Sequence, residues 1–399
     1  MKDLCFCTVA SKARLAHVNV LTESLSTHHP KSKVFFLLVD NIENFFDPLS
    51  LKKNMELIEA SALKNVPNIS ELFFKYNAFE ATTALKPYFC EYLLNTYNMQ
   101  KLVYLDSDIY VTMKMDALNR LLAEFSIILT PHITKELPLD GYCPDELDFL
   151  KAGTFNTGFI GISNAQEALK FLSWWKNRLW HFGLMNPAEG MNMDQRWIDL
   201  VPSLFDKVHI LKDPGYNVAF WNLHERKLSM ANGQILVNGE PLKFFHFSGF
   251  NPDNIEAISQ YQNRYTLADF SALRYLLSAY KTLLMQNGYK EIHTWPYSHN
   301  FFDNGIAIPL RARRIYWSLG NANKRFGNPF ETNKKNAFEK YYSRIYHMGY
   351  KCLDKLIEVG MRYKKFFNKF PRLKILAKKF YKFLVFGVGT RASNFFVKK

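Results

Sequence analysis

Six consecutive apolar residues, Val34-Phe35-Phe36-Leu37-Leu38-Val39, constrain this chain more than any other segment. A strand with one face in water alternates apolar and polar positions. An unbroken apolar run must be covered on both faces, as in a parallel sheet flanked by helices. The run ends at Asp40-Asn41, a turn at the C-terminal end of a strand. Around it the pattern predicts strands at 4–10, 54–59, 101–105, 126–130 and 155–162, and helices at 11–27, 77–96 and 166–181. Strands alternating with helices give the α/β class on a mostly parallel sheet. The alternation thins beyond Tyr265, so the expected division is an α/β domain over 1–265, a helical and loop segment over 266–330 and a basic helical tail over 331–399.

With 399 residues, 48% of them hydrophobic, the chain can bury a large core, and 16% aromatic residues exclude a disordered polypeptide. The net charge of +15 suggests nucleic acid at first sight. Yet residues 351–399 hold 14 basic and 2 acidic side chains, so the tail carries +12 and the rest is nearly balanced. No nucleic-acid partner is expected. Cys5, Cys7, Cys90, Cys143 and Cys352 lack zinc-type spacing and are expected to be buried, reduced thiols of a cytoplasmic chain. No apolar run approaches the roughly 18–20 residues of a membrane span, so the chain is not expected to be integral. His28-His29 before Pro30 reads as an exposed turn, and Trp174-Trp175 as helix core.

The sharpest chemical signal is Leu102-Val103-Tyr104-Leu105-Asp106-Ser107-Asp108. An apolar strand delivers two carboxylates at its C-terminal end, where open α/β sheets bind ligands. Carboxylates two residues apart can face one hard cation, which could bridge the phosphates of a nucleoside diphosphate. A solvated Asp-rich turn is the alternative. Three more segments bear on the choice: Phe155-Asn156-Thr157-Gly158, Asp194-Gln195 at a helix start, and His246-Phe247-Ser248-Gly249 after a strand. Taken singly, Asp194 reads as an N-cap and His246 as a core histidine.

In this order the four motifs resemble the retaining GT-A glycosyltransferases of the glycogenin and lipooligosaccharide galactosyltransferase kind, over residues 102–249. The resemblance implies a GT-A fold in which Asp106, Asp108 and His246 hold Mn²⁺ or Mg²⁺ against the diphosphate of the donor. It implies that Asn156 and Asp194 bond the donor sugar and that Gln195 lies near the anomeric carbon. Thr8, Val9 and Ala10 would cradle the base, Lys86 would approach the donor, and Ser107, Thr157, Ser248 and Gly249 would complete the donor contacts. The sequence departs from the pattern at Gly249-Phe250-Asn251-Pro252, where the family has a phosphate-binding lysine; Arg264 and Lys243 are candidate substitutes. The stretches 215–224 and 246–253 look closer to GT-A enzymes of bacterial surface-polysaccharide clusters.

The expected activity is transfer from a nucleotide-diphosphate sugar, UDP-sugar foremost, to a glycan or lipid-linked acceptor in surface-polysaccharide synthesis. Gln195 cannot serve as a base, which favours retention; Asp194 is the candidate base if the reaction inverts. The alternative is a non-catalytic nucleotide-sugar- or glycan-binding subunit of a glycosylation complex. In residues 372–386, Arg372, Lys374, Lys378, Lys379 and Lys382 share an arc of roughly 160° opposite Leu and Phe. Such a helix fits an anionic membrane surface, so the expected location is peripheral, on the inner face of the cell membrane. A helix docked on the protein with a solvated lysine face is the alternative.

Overall fold

A computed structural model describes residues 4–347. The expectations for Cys352 and for 372–386 lie outside these residues. The described residues form two compact units, one running to Tyr297 with residues 68–77 left out, the other of Asn68–Asn77 with the described chain from Ser298. The boundary expected at 265/266 falls inside the first unit, ahead of the helix Ser271–Gln286.

Strands β1 (Cys5–Ala10), β2 (Val34–Leu38), β3 (Met55–Glu59), β4 (Lys101–Leu105), β6 (Ile127–Pro131) and β7 (Phe155–Ser163) join the short strand Val208–Ile210 in one seven-stranded sheet. The order is Val208–Ile210, β6, β7, β4, β1, β2, β3. All neighbours pair in parallel except β7, which runs antiparallel to both β4 and β6. This mixed α/β architecture on a mostly parallel sheet is the one the sequence leads to. Every residue of β2 is buried, as its unbroken apolar run requires.

Helix α1 (Leu15–His28) packs on the sheet, while α3 (Ala78–Thr96) packs against β1 and against α6 (Gln166–Phe182). Trp175 of α6 is fully buried, as a helix-core residue should be, while Trp174 is partly exposed and meets Trp197 and Phe205 edge-on. The short helices α4 (Ala117–Glu124), α5 (Glu146–Ala152) and α7 (Gln195–Ile198) complete the part of the unit that matters here. Outside the main sheet, β5 (Ile109–Val111) pairs antiparallel with the strand Phe244–His246, setting Ile109 opposite His246. That pairing carries residue 246 to the mouth of β4, across more than a hundred residues of chain.

The second unit gathers α2 (Ile69–Lys75) and the helix Leu310–Ser318 around Phe74, Phe302, Tyr316, Phe326 and Phe338. Arg313 is buried there, and its Nη1 donates to the carbonyls of Phe73 (2.7 Å), Phe74 (3.0 Å) and Tyr76 (2.9 Å). These are carbonyls that the end of α2 leaves without helical partners, and the guanidinium satisfies them.

Three expectations need correcting. His29 is buried rather than exposed: its Nε2 accepts from the Met115 amide at 3.2 Å and its ring lies 4.9 Å from that of Phe6. Cys143 is exposed, unlike Cys7 and Cys90, and Cys5 is partly buried. The segment read as a helix from Ser11 begins with a separate 3₁₀ turn, Lys12–Arg14, before α1. Among the described residues no helix is long and apolar enough to cross a membrane.

Candidate active site

The backbone around Asp106 is fixed from both sides of β4. Its amide donates to the Gly158 carbonyl of β7 at 2.8 Å, and the Phe247 amide donates to the Asp108 carbonyl at 2.9 Å. Tyr104, fully buried, donates its hydroxyl to Asp106 Oδ1 at 2.6 Å. His246 then stands with Nε2 3.2 Å from Asp108 Oδ1 and 4.0 Å from Asp106 Oδ2. One ligand atom from each of Asp106, Asp108 and His246 falls within 4.8 Å of the others. Two carboxylate oxygens and an imidazole nitrogen suit Mn²⁺ or Mg²⁺, hard to borderline cations, so the residues present fit the metal that the sequence implies. Burial pushes the Asp108 carboxyl up, but His246 and then Arg14 outweigh it and hold it well below the usual carboxylate range. An anionic oxygen is what a cation site requires.

A second layer orients the histidine. Asn217, itself buried, places Oδ1 3.3 Å from His246 Nδ1 and donates Nδ2 to Thr130 Oγ1 (2.8 Å) and Asn156 Oδ1 (3.1 Å). With its amide so fixed, Asn217 offers an acceptor for a proton on Nδ1, the arrangement that would free Nε2 to meet a cation when one is bound. The register of β6 on β7 shifts here, with Leu129 opposite Ile160 and Thr130 opposite Asn156. Past the shift, Thr157 lines the cleft and Gly158 lies against the His246 ring. A Cβ at Gly158 would lie 2.4 Å from His246 Cε1 and 2.8 Å from Asn156 Oδ1, so only glycine lets the ring approach. Gly158→Ala is therefore expected to leave the protein folded while weakening Mn²⁺ binding about 10- to 100-fold, the range for lost support of a metal ligand. Calorimetric Mn²⁺ titration beside a thermal unfolding curve checks this; unchanged Mn²⁺ affinity would contradict it.

Lys86, 2% exposed, lies between two carboxylates, with Nζ 2.9 Å from Asp194 Oδ2 and 3.1 Å from Asp106 Oδ1. It also donates to the Thr157 carbonyl at 3.1 Å and sits 4.7 Å over the Tyr104 ring. Burial disfavours its charge, but Asp106 and Asp194 more than compensate and its pKa is raised. With two carboxylates facing one buried ammonium, the ammonium keeps its proton. Burial pushes the Asp194 carboxyl up against the pull of Lys86. Asp194 makes no capping bond to α7, so the N-cap reading gives way to an ion pair. Gln195 Oε1 accepts from Asn156 Nδ2 (3.3 Å) and the Thr157 amide (3.4 Å), while its Nε2 donates to the Ala152 carbonyl (3.1 Å).

These groups line one cleft of about 1190 Å³ in the first unit, large enough for a nucleotide sugar. Val9, Ala10, Ser107, Thr157, Ser248 and Gly249 line it together with Lys86, Asp106, Asp108, Asn156, Asp194, Gln195 and His246. Thr8 does not: it is fully buried within β1, and its neighbours Val9 and Ala10 reach the cleft instead. Gly249 has φ +69°, and a Cβ there would meet Ser259 Oγ at 2.5 Å. Arg264 is no free cation, since it bonds Asp140 at 2.6 Å and the Tyr142 and Pro144 carbonyls; neither it nor Lys243 lines the cleft.

Three contributors escaped the sequence reading: Asn217, Arg14 and His132. His132 follows β6 at its C-terminal end, the position where ligand groups gather in such sheets, and that placement was the available signal. It is buried, with Nε2 3.3 Å from Asn156 Nδ2, and burial lowers its pKa to about 4, so at neutral pH it accepts from that amide as a neutral ring.

The chain matches no protein-family model. It is 28% identical over 264 residues to the uncharacterized protein YfnF of Bacillus subtilis (strain 168), a span of 64% of this chain and 84% of YfnF. Among solved structures it is similar to the galactosyltransferase LgtC in complex with donor and acceptor sugar analogues, with a TM-score of 0.41 and 15% identity over 71% of this chain and 95% of that one. It is also similar to the apo form of the glycosyltransferase GlyE of Streptococcus pneumoniae TIGR4, with a TM-score of 0.40 and 16% identity over 75% of this chain and 67% of GlyE.

Proposed function

We propose that the protein is a metal-dependent glycosyltransferase that moves a sugar from a nucleotide-diphosphate donor, UDP-sugar foremost, to a glycan or lipid-linked acceptor of a surface polysaccharide, with retention at the anomeric carbon. The convergence of Asp106, Asp108 and His246 at the mouth of β4, inside the large cleft, carries this reading. A divalent cation, when bound, supplies charge neutralisation for a departing diphosphate. Asp106, Asp108 and His246 would hold it, with His246 kept in register by Asn217 and Gly158. Lys86 offsets part of the negative charge of Asp106 and Asp194, which would otherwise repel an anionic donor. Asn156, tied to Asn217, Gly158 and Gln195, offers a fixed amide at the cleft wall.

Retention is favoured by what the two candidate groups can do. Gln195 cannot take a proton, but its amide oxygen can steady a cationic anomeric centre. Asp194 is buried and committed to Lys86, a poor position for a base that must reach an acceptor hydroxyl. Incubation with a panel of nucleotide sugars and Mn²⁺ should release nucleoside diphosphate, EDTA should stop the release, and NMR of the product should show the donor's anomeric configuration kept. Release unaffected by EDTA would refute the metal, and clean inversion would refute retention. Binding of donor without any turnover, acceptors supplied, would favour the non-catalytic subunit.

Residues 372–386 are proposed to hold the protein on an anionic membrane, at about 1 kcal/mol for each Lys or Arg near the surface. The full chain should sediment with anionic liposomes at low salt and a chain ending at Phe370 should not. Equal binding by both would reject the membrane contact.

A further inference from the structure

Three long cationic side chains line the cleft among the described residues: Arg14, Lys86 and Lys151. Lys86 is buried and committed to two carboxylates. Lys151 is 64% exposed on α5 and pairs at 3.4 Å with Asp148, three residues earlier on the same helix. Arg14 differs from both. It ends the 3₁₀ turn that follows β1, is 48% exposed, and holds Nη2 3.7 Å from Asp108 Oδ2 at the edge of the metal-ligating trio. That distance is an ion pair without a hydrogen bond, so the guanidinium still has N–H groups to give.

Its position is built from below. Lys12, two residues earlier, is fully buried with Nζ 3.4 Å from Asp40 Oδ1 and from the Asn41 carbonyl, which ties the start of the turn to the end of β2. Arg14 Nη1 lies 3.1 Å from Nε2 of His17, one turn along, and His17 is 4% exposed. An arginine has no acceptor, so His17 Nε2 must accept and the ring must be neutral with its proton on Nδ1. Burial, then the adjoining Arg14, favours that neutral form. His17 thus leaves the charge of Arg14 uncancelled while fixing its plane.

We propose that Arg14 binds the diphosphate of the donor beside the metal-ligating carboxylates, and that His17 is its positioning residue. A planar guanidinium presents paired N–H donors that match phosphate oxygens, and a half-exposed one can reach an incoming ligand. The inference rests on the nucleotide-sugar reading of the cleft and deepens it.

Calorimetry with Mn²⁺ and UDP, GDP or dTDP, using whichever diphosphate the wild type binds most tightly, tests it, with the matching nucleoside followed by NMR. Arg14→Gln should weaken diphosphate binding about 10- to 100-fold, the loss of one or two charge-assisted bonds, and leave nucleoside binding unchanged. Arg14→Lys should recover part of the loss. His17→Phe should weaken the diphosphate less than Arg14→Gln does, and should add nothing in an Arg14→Gln background, which a merely structural histidine would not obey. Diphosphate affinity within twofold of wild type in Arg14→Gln, or equal loss for nucleoside and diphosphate, overturns the role of Arg14 while the cleft remains a nucleotide site. A wild type that binds none of these diphosphates overturns the nucleotide reading itself, and this inference with it.

Discussion

Replacing Asp106 or Asp108 by asparagine is expected to lower donor turnover by about three orders of magnitude while the fold survives, since a bound cation's charge stabilisation is worth several kcal/mol. Asparagine keeps the volume of the side chain and an oxygen able to accept from Tyr104, so the change is chiefly one of charge. Each carboxylate is one of the three groups whose ligand atoms lie within 4.8 Å of one another. Asp106→Asn still leaves Lys86 paired with Asp194 at 2.9 Å, so no buried ammonium is stranded. Steady-state release of nucleoside diphosphate, beside circular dichroism of each variant, gives the comparison. Near-normal turnover in both variants would remove the site from the chemistry.

Lys86→Met should act on stability as well as on activity. The ammonium is 2% exposed and Asp194 equally buried, and methionine would leave that carboxylate without its cation. Breaking a buried pair by removing one partner costs on the order of 3–5 kcal/mol. Part of this should return in Lys86→Met combined with Asp194→Asn, because the uncompensated charge is then gone. Denaturant midpoints of the wild type, the two single variants and the double variant form the cycle. A Lys86→Met protein as stable as wild type would mean that the ion pair carries no structural weight.

Much of this site is legible in the sequence because its parts obey local rules. The run 34–39 requires two covered faces, and Leu102–Leu105 ahead of Asp106 marks a strand end, whatever the remainder of the chain does. His246 joins the aspartates only through the pairing of β5 with Phe244–His246, which no local signal encodes; the order of motifs, not their spacing, led to it. Asp194 looked like an N-cap because a carboxylate before a short helix is what an N-cap looks like. Its partner lies on another helix, more than a hundred positions earlier. Asn217 was passed over for the same reason: its contacts with Thr130, Asn156 and His246 all cross long stretches of chain. Arg14 sat inside an apparent helix, and only the break between the 3₁₀ turn and α1 sets it apart. The antiparallel course of β7 was equally hidden, since a strand buried on both faces shows the same apolar pattern in either direction.

The central claim, that Asp106, Asp108 and His246 together hold the metal of a nucleotide-sugar site, can be tested in one diffraction experiment. Crystals grown with Mn²⁺ and UDP, measured at the manganese absorption edge, should give an anomalous peak within about 2.0–2.4 Å of one oxygen of each aspartate and of His246 Nε2. A peak elsewhere in the protein, or none at this trio with UDP bound in the cleft, would contradict the account.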